Sequence, residues 1–143
     1  MDVGETVEVE IGERHDGYLK AERDGSRFSI AGEGSIGDTR KIRIVKNQGG
    51  PFIAVTEGAT LRLRIDEVVD ESTVRADPSY GPVLIEASLS PGDWWQCVVT
   101  GVQESHVTAK PRKYIPRNSD IPRGDLPDDS TQSLNHLLSG RKL

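Results

Sequence analysis

GETVEVEI (residues 4–11) and GATLRLRI (residues 58–65) stand 54 positions apart in the chain. Each opens on glycine and then alternates apolar and polar side chains, the period-two pattern of a strand with one buried face. In the first copy Val7, Val9 and Ile11 share one face, and Glu8 and Glu10 the other. In the second, Leu61, Leu63 and Ile65 face inward against Arg62 and Arg64. The likeness runs on. DGYLKAERDG (16–25) faces ESTVRADPSYG (71–81), SRFSIA (26–31) faces GPVLIE (81–86), and GDTRKIRIVKNQGGPFIAV (37–55) faces GDWWQCVVTGVQESHVTAK (92–110). One inserted residue near Glu71 moves the offset to 55. A unit of about 50 residues met twice is too short a series for a solenoid, which stacks three or more. Two small domains are expected, at 1–56 and 57–110, followed by a third segment at 111–143.

Composition agrees with thin cores. Apolar residues make up 34% of the 143, low for one compact globule. One cysteine, Cys97, cannot form an internal disulfide and sits in an apolar run suited to core filling. With only His15, His106 and His136 beside it, no metal framework is expected, and no cofactor. No apolar run nears the ~20 residues of a membrane span, and MDVGETVEV lacks the basic and apolar regions of a signal peptide. The expectation is a cytoplasmic protein with no membrane partner. Charge is uneven: residues 1–56 carry 8 Lys/Arg against 10 Asp/Glu, residues 57–109 carry 3 against 9, and residues 110–143 carry 7 against 4.

The strand pattern continues through each unit. Tyr18 to Glu22, Phe28/Ile30, Ile42/Ile44 and Phe52 to Val55 follow the first strand, with Asp24-Gly25 between two of them. That dipeptide is a strong hairpin signal, since a type I′ turn needs positive φ. The second unit repeats the scheme with Val74/Ala76, Val83/Ile85, Trp95/Cys97/Val99 and Val107/Ala109. Nothing in either unit has the period of an ordinary helix. Five short strands favour closure, which removes exposed edges. The fold expected is all-β: two tandem five-stranded antiparallel OB-type barrels, with an SH3-like barrel as the competitor for each, then a mostly disordered tail with a short C-terminal helix.

The first unit resembles the TRAM domain, a small OB-type barrel found on RNA-modifying enzymes and as free-standing archaeal proteins. The matching residues are Gly4 to Ile11, Asp16-Gly17, Asp24-Gly25 with Phe28, and Gly37-Asp38 leading into Ile42-Arg43-Ile44. The second unit keeps Gly92-Asp93 but has Gly58-Ala59 at its start and Val83 at the position of Phe28. The resemblance implies RNA binding by the first unit. Nucleic-acid barrels combine cations that follow phosphates with aromatics on which bases stack. The first unit offers Lys20, Arg23, Arg27, Lys41, Arg43 and Lys46 for phosphates, and Tyr18 and Phe28 for bases. Alternation turns Lys41 and Arg43 outward, as RNA contacts or simply as a solvated strand face. Phe28 shares its period with Ile30 and fits a core residue as well as a stacking one. Arg62 and Arg64, among Asp66, Glu67, Asp70 and Glu71, are expected to balance local charge.

Trp94-Trp95 places one ring inward and one outward. In acidic surroundings an exposed Trp suits a domain or protein contact. Lys110 to Arg117 is a basic stretch, read as a linker or as an arm of an RNA surface. Residues 118–128 are expected to be disordered. Leu134, Leu137 and Leu138 form one face of a short helix that would fold only against a surface. Two functions follow. The first is a non-enzymatic RNA-binding protein of weak sequence selectivity, a chaperone or accessory factor in RNA metabolism or translation. The second is a protein-interaction scaffold using Trp94, Trp95 and the Leu134/Leu137/Leu138 helix. No constellation of nucleophile, base and orienting group supports an enzyme.

Overall fold

The computed structural model describes residues 1–47 and 49–116. The expected disordered segment and the helix of Leu134, Leu137 and Leu138 lie outside the described residues. Those described form strands, and among them no helix is long and apolar enough to cross a membrane. Five strands make up the first half: β1 (Thr6–His15), β2 (Tyr18–Arg23), β3 (Ser26–Ala31), β4 (Thr39–Lys46) and β5 (Phe52–Val55). Six make up the second: β6 (Thr60–Arg64), β7 (Glu67–Asp70), β8 (Thr73–Ala76), β9 (Val83–Ile85), β10 (Trp94–Val102) and β11 (Val107–Ile115).

The first half is a closed barrel in the order β1-β2-β3-β5-β4, with β4 returning to β1. This ring is compatible with an OB-type barrel. One expectation needs correcting, since the pairing is not wholly antiparallel: β3 runs parallel to β5. The β2–β3 turn is built as the sequence requires, with φ of 50° at Asp24 and 83° at Gly25. Val9, Ile11, Leu19, Phe28, Ile30, Ile42 and Ile44 fill the barrel, each at most 3% exposed. Burial of a large apolar side chain contributes about 1.5–3 kcal/mol, and a core this small needs nearly all of them.

The second half corrects a larger expectation. It is a six-stranded sheet in the order β6-β10-β11-β9-β8-β7, not a second closed five-stranded ring. Its pairings parallel those of the first half, including a parallel pair, here β9 with β11. The difference lies in the opening strand. In the barrel, β1 pairs with β4 through Glu10, shifts register between Ile11 and Glu13, and continues into its pairing with β2. Gly12 is the residue at that shift. In the second half, Asp66 takes the place of Gly12. Its carboxylate accepts from the Asp77 N–H at 2.7 Å and from Arg64 Nη1 at 2.8 Å. The strand breaks there into β6 and β7. Backbone bonding nonetheless hands over directly, from Ile65 N–H to Asp93 O at 2.9 Å and from Asp66 N–H to Arg75 O at 2.8 Å. The sheet's two edge strands are thus consecutive in the chain. A third correction concerns the expected linker from residue 111, because residues 111–115 belong to β11.

The halves are not independent. Ala31, Val45 and Val55 of the barrel belong to the apolar cluster built on Leu61, Leu63, Ile65 and Val74. Cys97 is fully buried in that cluster, and burial pushes its thiol up to about 12.

Candidate nucleic-acid interface

The cations and aromatics expected to form one RNA surface on the barrel are dispersed over it. Lys20 and Arg27 share the β2–β3 face and a shallow cavity of about 250 Å³ with Glu13 and Glu22. The cross-strand register sets Lys20 beside Glu13, and Arg27 beside Glu22. Arg23 donates through Nη1 to the Glu8 carbonyl at 2.7 Å. Tyr18 lies at the opposite end of β2. Its ring stacks on His15, with centroids 4.8 Å apart and planes 11° from parallel. The pair borders an open groove of about 830 Å³ that mixes Arg14 and Arg40 with Asp16, Glu33 and Asp38. Arg40 is already paired with Asp38 at 3.1 Å. Lys41 is exposed directly opposite Glu8.

Two of the expected contacts are corrected by burial. Phe28 is 1% exposed and stacks on Phe52 at 5.6 Å, so it presents no face to a base. Arg43 does point away from the barrel core, as alternation demands, but the second half covers it and it is 1% exposed. Its guanidinium donates to Thr6 Oγ1, the Tyr80 carbonyl and the Gln103 carbonyl, each at 3.0 Å. A planar fork of five donors suits such a joint between three backbone segments. Burial lowers its pKa, and the Glu104 carboxylate acts the other way. Gly81 lets the guanidinium approach: at φ +107° it has left-handed backbone, and a Cβ there would stand 2.5 Å from Nη1. Arg43 is therefore a structural clamp and not a phosphate contact.

Like Arg43, Lys46 faces the other half. It lines a cleft of about 390 Å³ with Arg62, Arg64, Asp66 and Trp94. Beyond that cleft lies a surface that charge counting missed. Strands β6, β10 and β11 are adjacent, and their residues include Arg62, Arg64, Lys110, Arg112 and Lys113 but no Asp or Glu. Leu61, Leu63, Cys97 and Val99 turn inward, which leaves Arg62, Arg64, Trp94 and Gln96 on the outer face. The register forms two rows: Arg62–Gln96–Lys113 and Arg64–Trp94–Ile115. A bulge after Gln96 brings Arg112 beside Lys113, and both line an open cavity of about 420 Å³ with Thr60 and Gln96. Arg64 is paired with Asp66 at 2.8 Å. Among the described residues Arg62, Lys110, Arg112 and Lys113 form no ion pair. Trp94 is 40% exposed on this face. Trp95, by contrast, packs against the second core and meets Tyr114 edge-on at 5.5 Å, so it is not the paired partner anchor expected.

The acid of the second half lies outside these three strands: at Glu57, Glu71, Glu86, Asp93 and Glu104, along the edge strand β7, and at Asp66 and Asp77, which reach the face only where they line the cleft with Arg62, Arg64 and Trp94. The signal that could have found the face was the absence of acid from three particular strands, which a segment-wide count averages away.

No family model and no curated protein matches the chain. Among solved structures it is similar to a multidomain protein with nucleic acid binding domains from Streptococcus pneumoniae TIGR4, with 14% identity and a TM-score of 0.35. That match covers 87% of this chain and 50% of the other, so this chain spans half the length of that relative. At such distance the likeness says nothing of what this chain binds.

Proposed function

We propose that this protein is a non-enzymatic RNA-binding protein of weak sequence selectivity, acting in the cytoplasm, and that its principal contact surface is the outer face of β6, β10 and β11. The observation that carries the reading is the composition of those three strands: five cations, an exposed tryptophan and no carboxylate. Cations spaced along a sheet follow a phosphate backbone, and an accessible aromatic supplies a sequence-tolerant platform for a base. The resemblance of Gly4–Ile44 to the TRAM domain supports RNA as the nucleic acid. Lys46 extends the face onto the barrel, and the mixed β2–β3 face of Lys20 and Arg27 contributes little.

The test is a titration of the whole protein with a single-stranded RNA at several salt concentrations. Binding should weaken steeply with salt, by about 0.7 in log–log slope for each phosphate contact. Absence of binding at about 50 mM salt, where these contacts are strongest, would reject the reading.

A further inference from the structure

The cationic face ends at the cleft between the halves, and the chemistry of that cleft differs from the rest of the face. Its volume of about 390 Å³ falls within the roughly 300–1,000 Å³ of small-ligand sites. Trp94 forms one wall and is 40% exposed. Arg64 stands directly beside it in the β6–β10 register, with Arg62 two residues back on the same face. Lys46 reaches the cleft from the barrel, and Ser79 lines it from the loop after β8. An aromatic face, three cations and a hydroxyl meet in this one cleft, complementary to the base face, phosphate and base edge of a nucleotide, and the three cations outnumber the two carboxylates, Asp66 and Asp77, that also line it.

We infer that this cleft takes one unpaired nucleotide, its base stacked on Trp94 and its phosphate held by Arg62, Arg64 and Lys46, so that the protein selects single strands over duplex. The inference rests on the RNA-binding reading and adds the class of strand and the place of the base. In a duplex every base is already stacked and paired, and Trp94 can reach none without the cost of unpairing. A duplex could then satisfy the cations of the face but not the cleft. Arg64 enters with its partner Asp66 at 2.8 Å. This pair keeps the guanidinium oriented along the cleft wall while more than half of its side chain stays open to solvent.

Three probes separate the parts: an eight-nucleotide oligouridylate, a duplex of equal length, and an oligomer of the same backbone lacking bases. With the full chain, the oligouridylate should quench tryptophan fluorescence and bind about 5- to 150-fold more tightly than the abasic strand, the factor that one base–aromatic stack is worth. Trp94→Ala should remove that advantage and the quench, and Trp94→Phe should restore most of the advantage. The comparison of probes on the unaltered protein stands even if Trp94→Ala fails to fold. Equal affinity for the oligouridylate, the duplex and the abasic strand would overturn the nucleotide site while leaving phosphate binding intact. Loss of binding to every probe at low salt would overturn the RNA-binding reading itself.

Discussion

Glu8, Glu10, Lys41 and Thr39 in the barrel occupy the same places in the strand pairing as Arg62, Arg64, Gln96 and Trp94 in the six-stranded sheet. Glu8 faces Lys41 and Glu10 faces Thr39 across β1 and β4. Arg62 faces Gln96 and Arg64 faces Trp94 across β6 and β10. One architecture thus presents two outer faces of opposite character. In the barrel, Lys41 meets Glu8, Lys20 meets Glu13 and Arg27 meets Glu22 on the neighbouring strand. In the sheet, the cations meet an amide and an indole. Backbone pairing decides where side chains emerge, and nothing in it decides what they bind. A family likeness confined to the barrel therefore leaves the binding face to be settled side chain by side chain.

The largest effect expected from breaking the comparison concerns Arg43, whose place in the sheet is taken by Val98. Position 43 was free to become a clamp because the second half covers it. Arg43→Ala would leave the buried Tyr80 carbonyl without this donor, at about 1–3 kcal/mol for a buried group left unsatisfied. It would also remove the charge-assisted bonds to Thr6 Oγ1 and to the Gln103 carbonyl, which keeps the Thr6 hydroxyl as its other donor. A total loss of about 3–5 kcal/mol is expected in urea denaturation. Arg43→Lys should recover only part of it, since an ammonium cannot span three acceptors in the guanidinium plane. A loss of less than about 1 kcal/mol, the scale of an ordinary surface change, would mean that the apolar contacts of Val45 and Val55 join the halves unaided.

Next comes the cationic row itself. Arg62→Ala with Arg64→Ala should flatten the salt dependence of RNA binding by about 1.4 in log–log slope, two single-strand phosphate contacts at about 0.7 each. The reciprocal change sharpens the comparison. Glu8→Arg with Glu10→Arg would give the barrel the same pair at the same register and should steepen the slope by a similar amount. If the first double variant left the slope unchanged, the outer face of β6, β10 and β11 would not be in contact with the strand.

These two predictions mark where the sequence was readable and where it was not. Period-two alternation located the strands, because Leu61, Leu63 and Ile65 need one apolar side whatever encloses them. Asp24-Gly25 located a hairpin, because positive φ is a local demand. Burial of Arg43 was not readable, since alternation says which way a side chain leaves its own sheet and not what lies beyond. The break at Asp66 was hidden for a similar reason: the carboxylate that stops β6 bonds to Asp77 N–H, eleven residues on. The extension of β11 through Pro111 was masked by a proline and a basic run that also suit a linker. The cationic face was hidden by arithmetic, because the acidic total of residues 57–109 adds turn and edge carboxylates to strands that have none.

A smaller effect is expected at Asp66, the carboxylate paired with a cation of the face. Asp66→Asn keeps an oxygen to accept the Asp77 N–H and removes the negative charge beside Arg64. Exposed ion pairs are worth about 0.2–1 kcal/mol, so RNA affinity should rise by about 1.5- to 5-fold at low salt. The gain should fade as salt screens the cleft. A fall in affinity would show that the carboxylate's orientation of Arg64 matters more than its charge.

The smallest effect belongs to the barrel's own mixed face. Lys20→Ala with Arg27→Ala removes two exposed cations, each set beside a carboxylate, Glu13 or Glu22. A phosphate approaching this face meets both signs within a few ångströms, well inside the Debye length of about 8–10 Å. Attraction and repulsion largely cancel before any contact forms. The affinity for single-stranded RNA should therefore change by less than about twofold, and the salt slope by much less than the 0.7 of one phosphate contact. Glu13→Gln with Glu22→Gln supplies the converse. Once the carboxylates are gone, Lys20 and Arg27 can act as the cations of the β6, β10 and β11 face do, and the slope should steepen. If the loss of Lys20 and Arg27 instead proved more damaging than the loss of Arg62 and Arg64, the RNA would lie on β2 and β3. The two halves would then have exchanged the roles assigned to them, with charge pairing on the barrel tuning a site instead of cancelling one.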